Sequence, residues 1–398
     1  MKFLLSLLLL LPLYAHGQEN RPAAPTAAET RIILGNEQTE EYFPLIEGKR
    51  IALFSNHTGM VSPDKHLLDL LVEQGFNVTA IFSPEHGFRG KADAGEHISN
   101  TVDKKTGVPI LSLYNGREKR PSEASMKKFD LLLVDIQDVG LRFYTYYITL
   151  CRLMDACAEY GRQVVLLDRP NPNGHYVDGP LLDMERYKSG VGWLPIPVVH
   201  GLTLGELARM VNGEGWLPQE RRCNLFVVPC RNYTHQSRYD LPIAPSPNLP
   251  NMTAVYLYPS ICLFEGTPVS LGRGTPLPFQ VYGHPDMTGY DYSFTPHSLP
   301  GAKNPPQLGR LCHGRNLSTL PQDSLRHIGL DLTYLIDVYR NLNIGDRFFT
   351  SFFELLIGVD YVRPMIQAGH SAADIRARWQ DDVVRFREQR RPYLLYAE

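Results

Sequence analysis

The sequence predicts an α/β protein built on a doubly wound parallel sheet, with a second part following it. Short apolar runs recur through the first half of the chain, each separated from the next by a loop or helical stretch, as strands buried on both faces do. Polar residues beside Gly or Pro gather directly after these runs, at the expected carboxyl ends of the strands. Pro242, Pro245, Pro247 and Pro250 then punctuate a stretch that suits neither helix nor central strand, and they place a domain boundary near residue 240.

In chain order, residues 1–17 read as an export signal. Met1-Lys2 gives a positive start, Phe3 to Leu13 an apolar run, and Ala15-His16-Gly17 small residues at a cleavage site. That run is shorter than the ~20 residues of a spanning helix, and no later run reaches that length, so no membrane insertion is expected. The implied destination is the periplasm or the medium of a bacterium. Residues 18–30, rich in Pro, Ala and Thr, read as a flexible lead-in.

Residues 31–240 carry the strand pattern. Strands are expected at residues 50–55, 78–82, 108–113, 131–135 and 163–168, with helices through Leu67–Leu71 and from about Thr145 to Tyr160. Thr203 to Glu206 reads as another helix start. Residues 241–398 form the second part: aromatic, Pro-rich loops leading to an amphipathic end near Ile375–Arg387. Hydrophobic residues are 43% of the 398 against 21% charged, enough for a sizeable core, so wholesale disorder is excluded. Forty Lys and Arg against 42 Asp and Glu leave no basic excess for a phosphate backbone, and no nucleic-acid partner is expected. Six cysteines are too sparse for a disulfide scaffold. Cys151 and Cys157 read as core, whereas Cys223 and Cys230 flank a strand-like run and are candidates to pair.

The expected strand exits supply the candidate site: Asn56 and His57; Glu85 and His86; Asp135, Gln137 and Asp138; Asp168, Arg169 and Asn171; and His200. No G-x-G-x-x-G follows the first run, no G-x-S-x-G elbow occurs, and no H-E-x-x-H or C-x-x-C is present, so neither a cofactor nor a metal is expected. A ligand set of His57, His86, Asp135 and His200 is the alternative on that point. Carboxylates remain. Glu85, between Pro84 and His86 in a Gly-rich loop, suits a general acid whose pKa is raised by partial desolvation, or else a loop-shaping partner of Arg89 four residues on. Asp138 and Arg142 share that spacing, which favours a structural pair. Asp168 either faces the cleft or caps its turn through Asn171. Glu265 in the second part can face the same cleft. Arg89, Arg142, Arg169 and Arg273 are more guanidinium than a neutral sugar needs, which points to an anionic substrate.

Several strings together resemble one family: Ser55-Asn56-His57-Thr58-Gly59, Phe82-Ser83-Pro84-Glu85-His86-Gly87-Phe88-Arg89-Gly90 and Asp135-Ile136-Gln137-Asp138-Val139-Gly140. Arg142-Phe143-Tyr144-Thr145-Tyr146, Asp168-Arg169-Pro170-Asn171-Pro172, Ser246-Pro247-Asn248-Leu249-Pro250 and Leu263-Phe264-Glu265-Gly266-Thr267 continue the likeness in unbroken order. The chain is similar to the YbbC/NamZ type of exo-β-N-acetylmuramidase, a bacterial peptidoglycan glycosidase group. The resemblance implies a Rossmann-like domain with a smaller α+β auxiliary domain and a cleft between them. It also implies removal of terminal N-acetylmuramic acid from non-reducing ends of peptidoglycan fragments. Glu85 becomes the expected acid, with Asp138 or Asp168 as second catalytic group. Asn56, His57, His86, Arg89, Asp135, Gln137, Arg142, Tyr144, Arg169, Asn171, His200, Glu265 and Arg273 become the expected substrate contacts. The lactyl carboxylate of muramic acid would explain the arginines. An amidase or esterase acting on muropeptides, or a non-catalytic muramyl-binding protein, are the rival readings.

Overall fold

Seven extended segments pair into one sheet in the computed structural model, which describes residues 31–84, 88, 101–113 and 120–398. They are β1 (Ile51–Ser55), β2 (Val78–Ser83), β3 (Thr101–Val102), β4 (Pro109–Ser112), β5 (Leu131–Asp135), β6 (Gln163–Leu167) and β7 (Asn224–Val228). Their spatial order is β3-β4-β2-β1-β5-β6-β7, and every neighbouring pair is parallel except β3 with β4. The chain winds outward from β1 to β4 on one side, then returns to β5 and winds outward again to β7. Winding therefore reverses between β1 and β5, where Ser55 is paired with Asp135. The expected export signal and lead-in, with Glu85, His86 and Arg89, lie outside the described residues.

Alternation of side chains explains why these runs are apolar throughout. Ala52, Phe54, Leu132, Val134, Val164 and Leu166 join one core cluster, whereas Ile51, Leu53, Leu131, Leu133, Val165 and Leu167 join another. Successive side chains point to opposite faces, so a sheet covered on both sides needs hydrophobic residues at every position. The Tyr146–Glu159 helix packs in the first cluster, with Cys151 and Cys157 both buried as expected. Another helix, Leu204–Gly213, starts at the expected point because Thr203 and Glu206 form a reciprocal capping box.

Beyond the proline-punctuated stretch, which holds neither helix nor strand, the chain forms a smaller α+β part. It includes the helix Met252–Ile261 and a three-stranded antiparallel sheet of β8 (Val281–His284), β9 (Tyr292–Phe294) and β10 (Cys312–Asn316), in the order β8-β10-β9. Helices Thr333–Leu342, Phe352–Ile357 and Gln380–Arg390 follow. One apolar cluster runs through both parts, from Ala52 to Phe386. All six cysteines are buried and unpaired, so Cys223 and Cys230 do not form the bond their spacing allowed. The Cys230 thiol donates instead to the Asp168 carbonyl.

Candidate active site

Polar groups among the described residues bond to one another around the winding reversal. Asn56 Oδ1 accepts from the Thr58 amide at 2.9 Å and the Thr58 hydroxyl at 2.6 Å, and that hydroxyl accepts from the Gln137 amide at 3.0 Å. Gln137 Nε2 donates to the carbonyls of Asp138 and Pro170, both at 2.8 Å. Asp135 takes Arg169 Nε on Oδ1 at 2.6 Å and Asn36 Nδ2 on Oδ2 at 3.0 Å. These groups latch the exits of β1, β5 and β6 together. Asn56, Asp135, Gln137 and Arg169 are buried, and Asn56 Nδ2 also donates to the hydroxyl of the cavity-lining Tyr146 at 3.2 Å.

Asp168 is likewise engaged. Its carboxylate accepts from the Thr203 hydroxyl at 2.6 Å, the Gly205 amide at 2.9 Å and the Tyr396 hydroxyl at 2.7 Å. It therefore sits at the positive end of the Leu204–Gly213 helix, which favours an anion. A Cβ at Gly205 would come within 2.7 Å of that carboxyl, so glycine is needed for the approach. Burial pushes the Asp168 pKa up to about 6, against the pull of the Thr203 and Tyr396 hydroxyls. Asn171 forms its own turn by accepting from the Asn173 amide and donates to the Leu202 carbonyl, rather than capping through Asp168. His200 is buried, with Nδ1 accepting from the Leu202 amide, and burial lowers its pKa to about 3, so the ring is neutral.

Arg142 differs most from its sequence reading. It is fully buried, forms no ion pair with Asp138, and donates to four backbone carbonyls: Pro180 and Ile196 through Nη1, Leu356 and Ile357 through Nη2, at 2.7–3.0 Å. Desolvation brings its pKa down to about 10. The guanidinium spans the two parts of the chain, with both Nη groups engaged and Nε buried without a partner.

Asp138 is the exception among the strand-end aspartates. Oδ1 accepts from the Gly140 amide at 2.7 Å, while Oδ2 is buried with no hydrogen-bond partner. Burial raises its pKa to about 7 against the Gly140 and Val139 amides. A carboxyl with one open oxygen that titrates near neutrality is equipped for proton or dipole work.

A cavity of about 300 Å³ is lined by Tyr144, Tyr146, Asn248, Tyr258, Glu265 and Arg273 among others, but not by Asp138. The Tyr144 and Tyr146 hydroxyls donate to the Pro245 carbonyl at 2.8 and 3.3 Å, so the proline-rich stretch forms part of the wall. His57 holds the same stretch through its ring nitrogen and the Ala244 carbonyl, 2.8 Å apart. Arg273 is loosely held: Nη1 is 3.4 Å from Glu265 Oε1, Nη2 is 3.5 Å from the Gly301 carbonyl, and Nε has no partner. A carboxylate of a ligand would offer it the 2.7–2.9 Å geometry that charged hydrogen bonds favour, roughly. Among the described residues no His, Cys, Asp and Glu group has the arrangement of a metal site. No described helix is long and apolar enough to cross a membrane.

The structure thus brings Tyr144, Glu265 and Arg273 to one cavity, whereas Asn56, His57, Asp135, Gln137, Asp138, Arg142, Asp168, Arg169, Asn171 and His200 are not part of its lining. Tyr146, Ser246, Asn248 and Tyr258 line the cavity but were not among the sequence candidates. The first three lie in the motif strings quoted above, which was the available signal.

Comparison with known proteins shows the family. Residues 51–253 match the family described as exo-β-N-acetylmuramidase NamZ, N-terminal, and residues 256–396 match its C-terminal counterpart. The chain is 38% identical over 375 residues to the peptidoglycan β-N-acetylmuramidase NamZ of Bacillus subtilis strain 168, covering 89% of each chain. Two crystal structures of DUF1343 family proteins from Bacteroides fragilis NCTC 9343 are similar. BF0379 has a TM-score of 0.87 at 69% identity, and BF0371 a TM-score of 0.77 at 28% identity; each match covers 92% of this chain and 99% of the other. With its two halves matched in order and the fold shared over nearly its whole described length, the chain belongs to the NamZ family of exo-β-N-acetylmuramidases.

Proposed function

We propose that the protein is an exo-acting glycoside hydrolase that releases β-linked N-acetylmuramic acid from the non-reducing ends of peptidoglycan fragments. The observation that carries this reading is the match of both halves of the chain to the two halves of that family. A cavity of about 300 Å³ with one loosely held arginine suits a single sugar bearing a carboxylate. Residues 1–17 would export the chain to the bacterial envelope, where the glycan is found, and the substrate would lie between the sheet's strand ends and the part after residue 240.

The proposed chemistry is substrate-assisted. The acetamide oxygen of muramic acid attacks the anomeric carbon as the glycosidic bond breaks, and Glu85 protonates the departing oxygen. Water then opens the resulting oxazolinium ring, with Glu85 accepting its proton. Asp138 is the group best suited to accept from the acetamide N–H and offset its growing positive charge, because Asp135 and Asp168 have their oxygens engaged. Incubation with the disaccharide N-acetylmuramyl-β-1,4-N-acetylglucosamine should yield both free sugars. A peptide-bearing muropeptide that lost its peptide while the disaccharide stayed intact would instead establish the amidase reading.

A further inference from the structure

A second cavity, of about 460 Å³, adjoins the first: Gly190 lines both. Its wall includes the half-buried Trp193, with Arg152 and Arg120 beside it. The Arg152 guanidinium lies 5.1 Å and the Lys188 ammonium 4.4 Å from the Trp193 ring centroid. Trp193 is itself tied to the site, because its amide donates to the hydroxyl of Tyr147, the residue after the cavity-lining Tyr146.

The charges around this cavity do not cancel. Arg120 is engaged by Asp155 and Glu159, and Asp155 is further answered by Arg221. Arg152, which lines the cavity, and Lys188, on the same indole, have no carboxylate partner among the described residues. An aromatic face holds two cations in place without neutralising them, so both stay available to an anion.

We infer that this second cavity is a subsite for a carboxylate carried by the remainder of the peptidoglycan fragment, beyond the sugar that is released. The inference rests on the glycosidase reading above. Peptidoglycan offers that carboxylate in two places: on the muramic acid one repeat further along the glycan, and on a stem peptide. Both are recognised by the same chemistry, a guanidinium and an ammonium held over an indole.

The test is the specificity constant of the wild type and of R152Q/K188Q on three substrates: the disaccharide, the tetrasaccharide of two repeats, and that tetrasaccharide bearing a peptide on its internal muramic acid alone. The wild type should favour at least one of the two larger substrates over the disaccharide by roughly three- to tenfold, mostly through KM. The double variant should lose that preference while its turnover of the disaccharide stays unchanged, which also shows that it is folded. A gain with the plain tetrasaccharide assigns the glycan carboxylate, and a gain only with the peptide-bearing tetrasaccharide assigns the stem. Equal values for all three wild-type substrates, or a preference that survives in R152Q/K188Q, would overturn the subsite. Failure of the wild type to cleave the disaccharide at all would sink the glycosidase reading itself, and this inference with it.

Discussion

Arg169 Nε and Asp135 Oδ1 meet at 2.6 Å where the winding of the sheet reverses, with side chains 4% and 0% exposed. Many α/β proteins leave that crevice open for a ligand. Here the ion pair joins the exits of β5 and β6, and a cavity is lined by residues 143–146, 190–191 and the part of the chain after residue 240. Replacing Arg169 by Met should strand a buried carboxylate and cost about 3–5 kcal/mol of stability in urea denaturation. Asp135→Asn together with Arg169→Met should cost much less than the sum of the two single changes, because neither charge is then left alone.

Arg273 should read the lactyl carboxylate. Arg273→Met is expected to lower kcat/KM on the muramic substrate by roughly 10- to 100-fold and to narrow its advantage over the N-acetylglucosamine analogue. Arg142→Met should behave differently: its loss leaves four carbonyls without their donor, so destabilisation of about 3 kcal/mol or more is expected. Comparing the discrimination ratio and the melting curve of each variant separates recognition from bracing. An unchanged ratio in Arg273→Met would remove Arg273 from substrate recognition.

Glu85→Gln should cut turnover of the natural disaccharide by roughly 10² to 10⁴ with binding nearly intact. The loss should shrink for a nitrophenyl glycoside, whose leaving group needs little protonation. Near-normal turnover of the disaccharide by this variant would end the assignment.

Asp138 carries a pH signature. Its folded pKa, about 7, stands above the unfolded value near 3.8, so the folded state holds the proton over that window after the unfolded chain has lost it. Stability should therefore fall as pH rises from about 4 to 7 and level off above. Asp138→Asn keeps an acceptor for the Gly140 amide and should abolish that part of the decline, a difference of order 1–3 kcal/mol at pH 8. If the ionised form assists the acetamide, kcat should rise through neutrality in the wild type, and the variant should lose both the rise and most of its rate. A D138N profile that matches the wild type would discard that role.

The strands were legible because a sheet covered on both faces forces unbroken apolar runs, as in Leu131–Asp135, found where it was expected. Thr203-Leu204-Gly205-Glu206 was legible as a helix start because capping is local chemistry. What Glu206 does besides capping was not, since Oε1 also lies 3.1 Å from His235 Nε2 and takes the Leu395 amide at 2.8 Å. The two-residue strand Thr101–Val102 is too short to show a period. The site divided along the same line. Residue types at the strand exits named the candidates, but Asp138 and Asp168 look alike in sequence. The distant Tyr396, 228 positions on, with Thr203 and the Gly205 amide, separates the occupied carboxylate from the open one.

Arg142 grips carbonyl oxygens, which every residue possesses. Positions 180, 196, 356 and 357 are therefore free to exchange side chains over evolutionary time without loosening the grip, so long as the main chain keeps its path. The bond across 214 or 215 positions should leave no paired substitutions behind it, and its mark on related sequences should be one-sided: an invariant arginine facing variable partners. Gly358 is the neighbour held to one identity, since a Cβ there would lie 2.4 Å from the guanidinium and its φ is +84°. A joint between two parts of a chain written in backbone rather than side chains lets the surfaces around it diversify while the joint stays put.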